Sequence, residues 1–391
     1  MKRRIFSLLL VLALITSMTA FTVQAEGETL TEAEKGAAIA KAANEMTFPT
    51  NMADFVADCP ACGAKQVTWK AITTNGRVGY NVTGHFYCTG ITANPHTQFI
   101  GLDNGGTVCL HLNGETLSNA GRIAVLGGSS KVNIMGTGTI IGKGTTTGDY
   151  KQGTLVAQNA GTINLYGGTY KSELADMPVV SVSSTANPKV NLYPDAVIDS
   201  SAGHNVDVVT GTFNMYGGKI QNAVTTGSGG NVRLRSSIAA FNLYEGKISG
   251  GSSSAANAGG NVYITGGAVF CQYGGEIVDG VSTTNGPGRD VFVYKGTYTL
   301  GGTANSGGIY IAENGKLNVL NDWTGKASVL WAAPVAAGQT VPEANGQCGT
   351  VTDGVFLPGG SFAGTLTCEL EGNLPVTGAE GALKIEAAQG N

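Results

Sequence analysis

The sequence predicts an all-β fold: a parallel β-helix solenoid of about seven or eight coils, flanked by N-terminal and C-terminal capping modules. Three observations point to it. The composition is rich in glycine and poor in charge, a short phrase recurs along the chain, and a second phrase runs in step with the first.

Of 391 residues, 60 are glycine, 11 are proline and only 13 % are charged. Glycine weakens helix interiors and helical bundles need charged outer faces, so a bundle is excluded. An apolar fraction of 42 % argues against disorder, and the lack of a Gly-X-Y period excludes collagen. What survives is a turn-rich β protein.

The first phrase appears as Val132-Asn-Ile-Met-Gly, Ile163-Asn-Leu-Tyr-Gly-Gly, Val190-Asn-Leu-Tyr, Phe213-Asn-Met-Tyr-Gly-Gly, Phe241-Asn-Leu-Tyr-Glu-Gly and Phe270-Cys-Gln-Tyr-Gly-Gly. Its second positions, Asn133, Asn164, Asn191, Asn214, Asn242 and Cys271, lie 31, 27, 23, 28 and 29 residues apart. In the second phrase, Asn205, Asn231, Asn261 and Asp290 lie 26, 30 and 29 apart. Such periods belong to solenoids, propellers or arrays. Leucine-rich repeats need leucine at short fixed intervals and propeller blades need about 40 residues or more, so neither fits. Each unit instead carries short alternating strands broken by Gly-Gly or Gly-Ser, with no helical period. From Val108 to Leu320 the stacked coils would form a rod of roughly 35 Å at ~4.8 Å per coil. Length variation falls in Gly142–Gly153, Ser249–Gly259 and Val281–Gly288, loops expected on one common side.

The N-terminus reads as a secretory signal peptide over residues 1–25: Lys2, Arg3 and Arg4, an apolar run Ile5–Ile15, and a small-residue end at Ala25. Its removal leaves 20 basic against 27 acidic residues, which gives no electrostatic reason to seek nucleic acid or anionic lipid. No later run approaches ~18 apolar residues, so the mature chain is expected to be secreted, without a membrane span. Leu374-Pro-Val-Thr-Gly378 is similar to a wall-sorting pentapeptide, but no apolar stretch or basic tail follows it. Thr31-Glu-Ala-Glu34 is a capping box before an Ala-rich run to Met46, so residues 26–50 are expected to hold one helix shielding the open end of the rod. Residues 51–98 form a cysteine-containing cap, 99–322 the β-helix, and 323–391 a C-terminal β cap or small β module.

The Asn-Leu-Tyr-Gly-Gly phrase resembles the right-handed parallel β-helix surface proteins of gut Firmicutes, within the pectate-lyase-like fold. Cys59-Pro-Ala-Cys62-Gly, Thr68-Trp-Lys, Gly84-His-Phe-Tyr-Cys88 and Val108-Cys-Leu-His-Leu-Asn-Gly114 resemble the segment that opens such proteins. The resemblance covers roughly residues 55 to 325 and implies the fold, with adhesion or glycan contact only loosely.

Three groups of residues could carry chemistry. Cys59, Cys62, His85 and Cys88 read as Cys-x2-Cys-x22-His-x2-Cys, a Cys3His set suited to structural zinc. A disulfide, free thiols or a Cys59–Cys62 redox pair are the alternatives in an exported chain. Cys109 and Cys271 read as buried small hydrophobes, and Cys348 with Cys368 as one bridge.

Alternation turns the first and third phrase residues inward and the second and fourth outward. Stacking then gives a column of Tyr166, Tyr193, Tyr216, Tyr244 and Tyr273, and another of Asp207, Arg233, Tyr263 and Phe292 continued by Tyr310. Such aromatic ladders suit sugar rings, while like-on-like stacking also stabilises the solenoid itself.

For catalysis, the nearest approach is His204 as general acid with Asp199, Asp207 and Arg233. The expected function is non-catalytic binding of a polysaccharide or a host or bacterial surface glycan. A pectate-lyase-like lyase or hydrolase and a purely structural surface repeat are the alternatives.

Overall fold

The computed structural model describes residues 30–91 and 98–331, apart from 144, 148–149, 201–202, 256–257, 283–289 and 313, together with 350–352, 355–357, 362–370 and 383–384. It is an all-β solenoid of about seven turns. The signal peptide, the Leu374–Gly378 pentapeptide and Cys348 lie outside the described residues. No helix among the described residues is long and apolar enough to cross a membrane.

Each coil contributes strands to three parallel stacks. The first stack holds the first phrase: Gly84–Cys88, Gly106–His111 and Ser130–Met135 pair in turn, followed by Thr162–Ser172, Lys189–Asp199, Gly211–Gln221 and Ala239–Ser249. Those four long strands bend at the Tyr-Gly-Gly position and continue into the second stack, with a register shift at the bend. The bend explains the glycines: Gly168 sits at φ 85° and Gly218 at φ 77°, a conformation that a Cβ would strain. The third stack holds the second phrase, with Val180–Val182, Val206–Val208, Val232–Leu234, Val262–Ile264 and Val291–Val293 in register. All three variable loops leave between the second and third stacks, at one corner. There Thr145–Thr147 pairs antiparallel with Tyr150–Gln152, while Val224–Thr225, Ser252–Ser253 and Val281–Ser282 stack as a small parallel sheet.

Strand alternation sorts the side chains as the sequence leads one to expect. Phe213, Phe241 and Phe270 point inside and stack at 4.8 and 4.7 Å between ring centroids, with Tyr298 next at 5.4 Å. They belong to a single interior core running the length of the described solenoid. Stacked aromatic pairs contribute about 0.5–1.5 kcal/mol each beyond the area they bury.

Two files of amides run along the rod. In the outer file Asn164, Asn191, Asn214 and Asn242 each donate from Nδ2 to the Oδ1 of the preceding asparagine, at 2.7–2.9 Å. The inner file runs the other way: Asn205 donates to Asn231, Asn231 to Asn261, and Asn261 to Asp290, at 2.7–2.8 Å. The inner asparagines are fully buried, and each also donates to a backbone carbonyl at the corresponding corner of the following coil (Gln221, Ser249 and Val278). Val179 occupies the preceding rung and offers no donor, which leaves the Oδ1 of Asn205 without a partner.

The helix Glu32–Asn44 begins with the capping box: Glu34 N–H donates to Thr31 Oγ1 and Thr31 N–H to Glu34 Oε2. It lies along the flank of Thr162–Ser172, Lys189–Asp199 and Gly211–Gln221. Gly36 faces Tyr193 so closely that a Cβ would stand 1.9 Å from the ring. The helix therefore covers a second, smaller core containing Ala43, Cys59, Trp69, Tyr87, Cys109, Met135, Tyr166 and Tyr193.

Asn231→Leu should lower unfolding stability by at least ~3 kcal/mol, since it orphans several buried polar groups at once. Asn242→Leu, at the half-exposed end of the outer file, should cost less than ~1 kcal/mol. Urea melts of the two variants check the contrast.

Candidate functional site

The cysteine knuckle is a tight turn. Gly63 N–H donates to Cys59 O at 2.9 Å and Cys59 N–H to Ala64 O at 2.8 Å, with Gly63 at φ 73°. Asp58 anchors the turn by accepting from Gln66 N–H and Lys65 Nζ, both at 2.9 Å. These bonds hold its carboxyl below the usual range, the Gln66 N–H contributing most.

The knuckle faces the strands Gly84–Cys88 and Gly106–His111, whose register sets His85 beside Cys109. The ligand atoms of Cys59, Cys62, His85 and Cys109 all lie within 4.8 Å of one another, and Cys62 Sγ is 3.2 Å from His85 Nε2. A tetrahedral zinc with Zn–S near 2.3 Å needs sulfurs about 3.8 Å apart, so the cluster is within a small contraction of that geometry. Cys59 and Cys109 are buried and Cys62 is exposed. The Cys109 thiol donates to Cys59, holding Cys59 down to about 6 and pushing Cys109 up, while partial desolvation raises the exposed Cys62. Three soft sulfurs and one imidazole are a donor set that suits a structural zinc.

The expected fourth ligand, Cys88, is not part of this group. On a strand, residues three apart face opposite ways. His85 and Tyr87 therefore face the knuckle, while Phe86 and Cys88 enter the interior core, where burial pushes the Cys88 thiol up. Cys109, expected to be an inert hydrophobe, takes its place. Extending the first phrase back by 24 residues per coil, from Asn133 to Cys109 to His85, carries the signal that would have found it. The described cysteines, Cys59, Cys62, Cys88, Cys109 and Cys271, are free thiols. The Cys348–Cys368 pairing falls outside the described side chains.

The tyrosine column exists, with centroid spacings of 4.5, 5.4, 5.0 and 5.4 Å from Tyr166 to Tyr273. Its exposure differs from expectation. Tyr166 and Tyr193 are buried beneath the helix, Tyr216 and Tyr273 are half-buried, and Tyr244 is 37 % exposed. Interplanar angles of 10–23° turn the ring faces toward one another, so the column offers mainly ring edges to solvent.

In the other column, Asp207, Arg233, Tyr263, Phe292 and Tyr310 are in register. Phe292 and Tyr310 are buried, and Tyr263 is half-buried. Asp207 is buried and accepts two hydrogen bonds from each of Arg233 and Arg235, at 2.7–3.2 Å. Burial alone would raise its carboxyl, but Arg233 and then Arg235 outweigh that and hold it below the usual carboxylate range. His204, the expected general acid, is buried and donates from Nδ1 to Gly229 O at 2.6 Å. Desolvation and then Arg233 push it down to about 4, which keeps it neutral. Asp199 accepts from Asn222 Nδ2 at 3.1 Å and lies 3.8 Å from Lys171 Nζ. The residues of the expected acid–base group thus hold structural bonds.

No family model matches the chain, and no curated protein or solved structure is significantly similar to it.

His111 is likewise buried. Its Nε2 lies 2.9 Å from Ala43 O at the end of the helix, and desolvation pushes it down to about 4. Both histidines titrate near 6.5 when unfolded. Below that pH the unfolded chain binds more protons, so the stability held at pH 7 is lost as pH falls from about 6.5 toward 4. Each histidine should contribute roughly 2–3 kcal/mol of that loss by pH 4.5. His204→Asn, which keeps a donor for Gly229 and does not titrate, should flatten the fall in melting temperature between pH 7 and 4.5.

Proposed function

We propose that this chain is an exported, non-catalytic binding solenoid whose ligand is an acidic glycan at or near the bacterial surface. The carrying observation is the pair Arg233 and Arg235 on the single carboxylate of Asp207, which leaves one positive charge in excess. Half-buried Tyr263 stands in register with Arg233, and exposed Tyr294 neighbours Tyr263, with Lys295 Nζ 5.1 Å from the Tyr294 ring centre. Guanidinium groups bind carboxylates in a planar, paired manner, and aromatic surfaces take sugar faces. The attraction to an anionic partner is local to this cationic aromatic patch, since the exported chain as a whole carries more acidic than basic residues. The likeness of the repeat phrase to pectate-lyase-like surface proteins supports the same reading.

Arg235→Ala should weaken binding to uronic-acid polysaccharides at least ~10-fold, with little change toward neutral ones, and added salt should weaken it further. Binding profiles on acidic and neutral glycans, alongside a product assay for cleaved chains, decide the matter. Equal binding by Arg235→Ala, or turnover that His204→Ala abolishes, sinks the reading.

We infer further that the Cys59, Cys62, His85 and Cys109 cluster holds a structural zinc. Metal there would tie the knuckle to two successive coils. Purified mature protein should carry one zinc per chain, lost in Cys109→Ser and kept in Cys88→Ala. Absence of stoichiometric zinc after reconstitution would refute this.

A further inference from the structure

We propose that Asn133 positions Cys109 as a metal ligand, making the outer amide file the outer shell of the Cys3His centre; this rests on the zinc reading above. In-register pairing places Asn133 directly beside Cys109, one coil along. Asn133 is buried at 1 % exposure, and its Nδ2 donates to Cys109 Sγ at 3.3 Å.

The orientation of that amide is not free. Its Oδ1 already accepts from Asn164 Nδ2 at 2.8 Å, and Asn164 accepts in turn from Asn191, Asn191 from Asn214 and Asn214 from Asn242. Flipping Asn133 would set its NH2 against the NH2 of Asn164. Four amides upstream therefore hold the fifth with its donor on the sulfur. Aligned hydrogen bonds polarise one another, so the last donor in the file is the strongest.

The inner file supplies an independent comparison. It runs in the opposite direction along the rod, yet its donors also end on an acid, the carboxylate of Asp290. Each file thus terminates on a group able to carry negative charge. For the outer file that group is Cys109, which ligates metal as a thiolate. Amide donors to ligating sulfur orient the ligand and offset its charge, and loss of such partners costs metal affinity about 10- to 100-fold.

The test measures zinc affinity by chelator competition, and the thiolate-to-metal charge-transfer band after cobalt(II) loading, in full-length mature protein. Asn133→Leu should bind zinc at least ~10-fold more weakly and shift the cobalt band. Asn191→Leu, two coils further along the same file, should change affinity less than ~3-fold while losing comparable stability. Should Asn133→Leu fail to fold, Asn133→Asp serves instead: it is isosteric, and its carboxylate turned toward the sulfur should weaken zinc binding at least as much. Wild-type protein that takes up neither metal overturns the zinc reading, and this inference with it. Metal uptake with unchanged affinity and an unmoved cobalt band in the Asn133 variant overturns this inference alone.

Discussion

Everything in this molecule follows from in-register parallel stacking. Each residue stands about 4.8 Å from its equivalent one coil along, so it must be compatible with its own kind. Apolar residues meet that condition by forming a continuous interior, as Phe213, Phe241 and Phe270 do. Polar residues of one kind stack inside it only when they both donate and accept, while unlike ones such as Asp207 and Arg233 meet the condition as a donor–acceptor pair. Asparagine does both along the rod, which is why it fills both files and why the buried Asn205, Asn231 and Asn261 can stack without charges of their own.

The same constraint explains why the fold was legible in the sequence. A period of about 28 residues in two phrases sufficed for the solenoid, and alternation within Phe213-Asn214-Met215-Tyr216 sorted inside from outside. The capping box at Thr31 marked the start of the helix. Where the helix would lie was not legible, because its seat on Tyr193 depends on a flat flank that only the stacked coils create. For that reason Tyr166 and Tyr193 read as exposed in the sequence yet lie covered.

The Cys3His cluster was legible only in part. Cys59, Cys62 and His85 could be read from spacing, which follows zinc-binding loops well. Cys88 could not be judged that way, since on a strand the three-residue step from His85 crosses the sheet. Cys109 became a partner through register, a relation between coils that linear spacing does not display. His204 and Asp207 show the complementary failure. Side-chain identity suggested acid–base chemistry, but burial and the arginines of the next coil commit both to structural bonds.

The two amide files also bear on how such a rod could change in length. Their middle members are interchangeable, each bonded to a neighbour of identical chemistry, whereas the terminal acceptors Cys109 and Asp290 are unlike everything between them. Duplication or loss of a central coil would leave the donor-to-acceptor pattern of both files unbroken. The molecule can therefore vary its reach by whole coils over evolutionary time while its ends stay chemically fixed.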